Sequence, residues 1–136
     1  MIKLTFCLVR LPHLCREEFQ DYWLNKHGPL VISLKAPLRI RRYAQLHSFA
    51  PEVSAATRGS RGGPEQYDGV AELWWDSAED MAAMSSDPVA LEAGAKLLED
   101  EKRFIDLARS PIWWGDEKVL IEADEPDRWP HGLGAA

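Results

Sequence analysis

Residues 2–27 read IKLTFCLVRLPHLCREEFQDYWLNKH, and the hydrophobic period changes once inside them. Over residues 2–11 apolar side chains are dense, and they stop at Pro12, which cannot donate to a sheet ladder; this predicts a buried strand. From residue 15 to residue 26 the spacing shifts. Phe19, Trp23 and His27 recur at every fourth position and so share one helix face, with Tyr22 beside them. Glu18 takes the fourth place of a capping box and Leu14 can staple to Phe19, although Cys15 offers sulfur and not oxygen at the cap. Gly28 and Pro29 then disturb the helix just past His27.

Working outward, residues 38–49 carry Ile40, Tyr43, Leu46 and Phe49 and read as a second strand ending before Pro51. Residues 50–66 show no periodicity and are rich in Gly and small residues, which predicts a mobile loop or lid. DGVAELWW, residues 68–75, reads as the third strand, and Ser77 with Glu79 and Asp80 opens a helix in capping-box fashion. That helix breaks at residues 85–88 and restarts with Asp87 as cap and Pro88 at its first position, running to about residue 107. Leu97, Glu101, Phe104, Ile105 and Ala108 mark its inward face, Glu101 being the odd polar member. A last strand lies within residues 112–121, with a turn or bulge at Gly115 and Asp116.

The order β-α-β-β-α-β is a pair of split βαβ units, so the expected class is α+β, ferredoxin-like, with a four-stranded antiparallel sheet. Two helices cover only one sheet face, and the bare face predicts a second copy as its cover: a homodimer in the form of a dimeric α+β barrel. The domain spans residues 1–122. Residues 123–136 form an acidic tail containing Pro and Gly, whose Trp129 could dock on a partner subunit.

At 136 residues the chain has room for one domain with a real core. Its net charge of −6 leaves little for counterion release, so nucleic acid is excluded as a partner. The basic cluster Arg39, Arg41, Arg42 reads as a solvated strand face or as ion-pair partners, with an anionic ligand as the sharper alternative. Cys7 and Cys15 are too few for a disulfide framework and lack zinc spacing, so no metal is expected and the cytoplasm is the default compartment. Cys7, in a strand expected to be buried, behaves as a small hydrophobe. No run approaches the length of a membrane helix, so no membrane role is expected.

The run FQDYWLNKHGPLV, residues 19–31, resembles the signature of the EthD family, in which an aromatic-bearing helix ends in a histidine followed by a proline and an aliphatic residue. RRYAQLH, DGVAELWWDSAEDM and SSDPVALEAGAKLLEDEKRFID follow in the matching order, so the resemblance covers residues 2–121. It implies a dimeric α+β barrel with a mostly apolar pocket between sheet and helices. The implied activities are cofactor-free isomerases of muconolactones, dehydratases and related tailoring enzymes of aromatic polyketides, and accessory proteins of ether degradation. In the methylmuconolactone isomerase branch, the catalytic histidine and tyrosine correspond to His27 and Tyr43. The cysteine of its third strand corresponds to Leu73, so the isomerase set is incomplete.

From the residues themselves, His27 suits acid–base work because its unperturbed pKa lies near neutrality, and its plain alternative is a structural cap of helix carbonyls. Tyr43 can donate to a developing oxyanion, or can be a half-buried strand aromatic. Strict alternation puts Arg41, Tyr43, Gln45 and His47 on one strand face, opposite Ile40, Ala44 and Leu46, which makes Gln45 and His47 binding candidates. Glu72, a polar residue in an apolar strand, is either paired with an arginine at the dimer seam or an acid with a raised pKa. Trp23, Trp74, Trp75, Trp113 and Trp114 read as core or interface, one or two of them walling an aromatic ligand. The expected function is a cofactor-independent lyase or isomerase with His27 and Tyr43 as catalytic residues and Trp23, Gln45, His47, Glu72 and Leu73 around a small hydrophobic substrate. The alternatives are a non-catalytic small-ligand-binding accessory protein and a haem-binding barrel with His27 as axial ligand.

Overall fold

A computed structural model describes residues 1–124. Its four strands are β1 (Ile2–Leu8), β2 (Arg42–His47), β3 (Gly69–Trp75) and β4 (Ile112–Asp116), in the spatial order β2-β3-β1-β4 with every pair antiparallel. This is the ferredoxin-like α+β fold. Leu4 faces Leu73 and Trp114 across the ladders, and Phe6 faces Ala71 and Ile112; these positions turn toward the helices. Their alternates, Lys3 with Trp74, Thr5 with Glu72 and Cys7 with Val70, turn away from them.

The helices are α1 (Arg16–Tyr22), a π turn at Trp23–His27, α2 (Gly28–Ser33), α3 (Lys35–Leu38), α4 (Ala55–Gly59), α5 (Ala78–Ala83) and α6 (Pro88–Glu101); α4 belongs to the excursion between β2 and β3 and adds no residue to the core, which the others cover on the inner face. The cap of α1 forms with sulfur: Cys15 Sγ accepts the Glu18 N–H at 3.4 Å while the Glu18 carboxylate accepts the Cys15 N–H at 3.0 Å. Ser77 and Asp87 cap α5 and α6 through their side-chain oxygens. Phe19, Trp23, Phe104 and Leu8 are fully buried and knit the first helical segment to the stretch just after α6.

Several boundaries differ from expectation. The first strand ends at Leu8, and beyond it Arg10 makes one isolated bridge to Ile105. The first helix does not stop at Gly28: the chain stays helical through the π turn, and Pro29 sits in the opening turn of α2. The second strand starts at Arg42, because residues 35–38 close a helical turn and Arg39 takes a left-handed conformation with φ 58°. Ile40 therefore lies before the strand and is buried in the core under the helices, not on the outer face with Ala44 and Leu46. Residues 50–66 are partly helical, with a 3₁₀ turn at Pro51–Ser54 leading into α4. Helix α6 ends at Glu101, so Phe104 and Ile105 reach the core from the connection to β4.

The three clustered arginines all have partners: Arg39 lies 3.7 Å from Asp80 and 4.0 Å from Asp87, Arg41 lies 3.2 Å from Asp76, and the Arg42 guanidinium sits 4.1 Å over the Trp74 ring. Trp129 lies outside the described residues, as does most of the expected tail. No helix among the described residues is long and apolar enough to cross a membrane.

Candidate active site

The π turn brings His27 into the space between sheet and helices. One extra residue in the turn lets the Gly28 N–H reach the Trp23 carbonyl, five residues back, and local widenings of this kind recur at functional sites. The His27 side chain is 7% exposed, and its Nδ1 lies 2.8 Å from Asp100 Oδ2 on α6. The Tyr22 hydroxyl donates to the other Asp100 oxygen at 2.6 Å. Burial pushes the Asp100 carboxyl up, but the hydrogen bonds from Tyr22 and His27 and the nearby positive charge outweigh it and hold the group below its ordinary pKa. His27 is pushed below its own by burial, partly offset by Asp100. The two directions agree on one state: an ionised Asp100 accepting Nδ1–H from a neutral imidazole. That leaves the Nε2 lone pair of His27 free.

Nε2 faces a cavity of about 200 Å³. Its wall is hydrocarbon, with Phe6, Ile40, Leu73 and Leu97 among the lining residues, apart from two indoles and the polar groups of His27, Tyr43 and Glu101. Glu101 Oε2 stands 4.0 Å from Nε2, and burial together with neighbouring Asp100 raises the Glu101 pKa to about 7. Tyr43 comes from β2, with its phenol pKa raised mainly by burial. The Gln45 amide donates to the Tyr43 oxygen at 2.6 Å and to the Trp23 carbonyl at 3.1 Å. Because the amide is the donor, the phenolic hydrogen is left free to point elsewhere. Gln45 in turn pairs with His47 Nε2 at 2.7 Å, and the His47 ring stacks on Trp23 at 4.6 Å.

Of the residues singled out in the sequence, His27, Tyr43, Trp23 and Leu73 meet at this cavity. Gln45 and His47 stand behind Tyr43 and line a separate open groove with Leu24, Pro29 and Ile32. Glu72 is elsewhere: it lies on the opposite sheet face, 3.3 Å from Lys3, which also pairs with Glu117. It does not line this cavity, and its ion-pair partner is a lysine of the same chain and not an arginine. Asp100 went unnoticed although the signal was present, since it stands three residues after Leu97 and four before Phe104 on the inward stripe. Among the described residues no cluster of three or more His, Cys, Asp or Glu could hold a metal ion. The residues present do not suit a haem on His27, because the Glu101 carboxyl stands 4.0 Å from Nε2, where the ring around a ligated iron would need an apolar slot.

A family model for the EthD domain matches residues 11–108. The chain belongs to the EthD family. Solved structures resemble it in fold at low identity. An EthD family protein from Bacillus halodurans C-125 is 16% identical with a TM-score of 0.56, over 87% of this chain and 100% of that one. HapK from Hahella chejuensis is 12% identical with a TM-score of 0.55, over 92% and 100%. A dimeric protein of unknown function with a ferredoxin-like fold from Bacteroides fragilis NCTC 9343 is 13% identical with a TM-score of 0.53, over 85% and 95%. No curated protein matches the chain in sequence. Within this EthD domain Asp100 is the residue that holds His27 at the cavity.

Proposed function

We propose that this EthD protein is a cofactor-independent lyase or isomerase that moves a proton on a small hydrophobic, enolisable substrate, aromatic or lactone-like. The observation that carries the reading is the Asp100–His27 pair: a carboxylate 2.8 Å from Nδ1 fixes the tautomer and presents a basic Nε2 to an apolar cavity. Tyr43, its hydrogen released by Gln45, steadies the oxygen of the enolate as it forms. The hydrocarbon walls exclude water, which strengthens both interactions. Trp23 and Leu73 give the substrate its apolar contacts, while Gln45 and His47 act from behind Tyr43.

The test offers aromatic ketones and lactones to the protein in deuterated water, with His27→Ala alongside, and reads product masses. The expected result is deuterium uptake or loss of water with wild-type protein alone. Bound ligands with no change of mass would instead favour a non-catalytic binding protein, a reading supported by the plain leucine at residue 73.

The same proposal includes a homodimer. The outer sheet face carries Thr5, Cys7, Ala44 and Val70 without a helix over it, and Leu46, Phe49 and Trp113 are more than half exposed there and at its edges. Light scattering is expected to give twice the mass of the chain, and Leu46→Glu to reduce it to the monomer.

A further inference from the structure

Glu101 Oε2 and His27 Nε2 are 4.0 Å apart, too far for a hydrogen bond and close enough for two substrate atoms one or two bonds apart to touch one each. The side chains are 18% and 7% exposed and line the same cavity. Among the described residues no lysine or arginine comes within ion-pair distance of Glu101. The titratable groups that face it are His27 from the π turn, Asp100 from α6 itself and Tyr43 from β2. A carboxyl enclosed in hydrocarbon beside an ionised aspartate, with no cation to compensate, holds its proton far above the ordinary carboxylate range, up to about pH 7.

Resting on the reading of His27 given above, we propose that Glu101 is the catalytic acid opposite His27, and that the pair removes water from a β-hydroxy ketone by working on a single face of it. His27 Nε2 takes the proton from the carbon beside the carbonyl, and the electron pair of that C–H bond becomes the new carbon–carbon π bond. The bond to the hydroxyl breaks with its electrons going to oxygen, which takes the Glu101 proton and leaves as water. Tyr43 donates to the ketone oxygen while negative charge is on it. The proton now on His27 passes to the Glu101 carboxylate, directly or through the departing water, and both groups are reset without an oxidant, a reductant or a second substrate. Moving a proton from one carbon to another requires one base; a proton donor placed beside that base is what an oxygen leaving group requires.

The probes are a tetralone bearing its hydroxyl β to the ketone, whose loss of water gives a naphthol followed by fluorescence, and the parent tetralone, whose α-proton exchange in deuterated water is read by mass. Glu101→Gln keeps the shape and removes the acid. It is expected to slow dehydration by about 100-fold or more, with a deficit in exchange at least about tenfold smaller. Wild-type dehydration is expected to fall as pH rises through about 7, a limb absent from Glu101→Gln. Exchange without dehydration by the wild type, or dehydration by Glu101→Gln within about twofold of wild type, overturns the role of Glu101 and leaves that of His27 standing. Neither reaction with wild-type protein overturns the parent reading, and this one with it.

Discussion

Two glutamates on opposite faces of one sheet meet opposite fates. Glu117, just past β4, accepts the Trp74 indole N–H at 2.9 Å and lies 3.1 Å from Lys3, and chiefly through the indole bond its carboxyl is held below the usual range. Glu101, under the helices, has Asp100 as its neighbour and a neutral imidazole in front of it, and burial lifts it to about 7. The outer face stabilises charge with charge: Lys3 and Arg42 bracket Trp74 from 4.9 and 4.1 Å, and Glu72 and Glu117 balance Lys3. The inner face leaves one acid uncompensated, which costs stability and keeps a proton in the cavity. The difference separates the surface proposed for association from the cavity proposed for chemistry.

The sharpest division between the faces lies in packing. Phe104 is fully buried against Phe19, Tyr22 and His27, so Phe104→Ala is expected to cost about 3–5 kcal/mol in urea unfolding. Lys3→Ala on the outer face is expected to cost less than about 1 kcal/mol, and equal costs would break the comparison.

Next in size is the pH dependence of stability. The Glu101 pKa is about 7 in the folded chain against an ordinary value of 4.5, so between those pH values the folded state holds a proton that the unfolded state has lost, and stability falls as pH rises through this window. Glu101→Gln is therefore expected to be more stable than wild type at pH 8, by on the order of 3 kcal/mol, and to match it near pH 4. His27 works in the other direction: its folded pKa lies below 6.5, so stability from this group is lost as pH falls under that value.

A smaller effect tests how the inner face holds its aromatic wall. A Cβ on Gly69 would meet the Trp23 ring at 2.4 Å and the Leu46 carbonyl at 2.8 Å, so Gly69→Ala must push Trp23 off β3 and disturb its stack with His47. A loss of about 1–3 kcal/mol and a shift in indole fluorescence are expected. The smallest effect belongs to Glu117→Gln. Its sign is opposite to that of Glu101, because a lowered carboxyl pKa contributes stability above 4.5 that disappears as pH falls through the lowered value. The loss at pH 7 is expected below about 1 kcal/mol, measured by urea unfolding in low salt.

Much of this was legible in the chain itself. The change of period between residues 11 and 15, the caps at Ser77 and Asp87, and the shared face of Phe19, Trp23 and His27 are local patterns, set by sterics and by hydrogen bonds within a few residues. They suffice for the order of elements and, through it, for the fold. That the sequence left Glu72 open between an ion pair at the seam and a place around the substrate has a physical cause. Strand β3 is apolar on both sides, with Val70 and Trp74 on one and Ala71, Leu73 and Trp75 on the other, so alternation carries no contrast that says which side the helices take.

The site depended on tertiary structure for the same reason its chemistry does. His27 and Asp100 are 73 residues apart in the chain, and their 2.8 Å contact exists because both split βαβ units lay their helices on one face of the sheet. Sequence by itself determined that a histidine would stand at the end of an apolar helix face and that a glutamate would interrupt the inward stripe of the last helix. Only the folded chain decided that the histidine's pKa lies below its ordinary value and the glutamate's is lifted to about 7, since a pKa is set by the charges and the solvent that packing brings near or takes away.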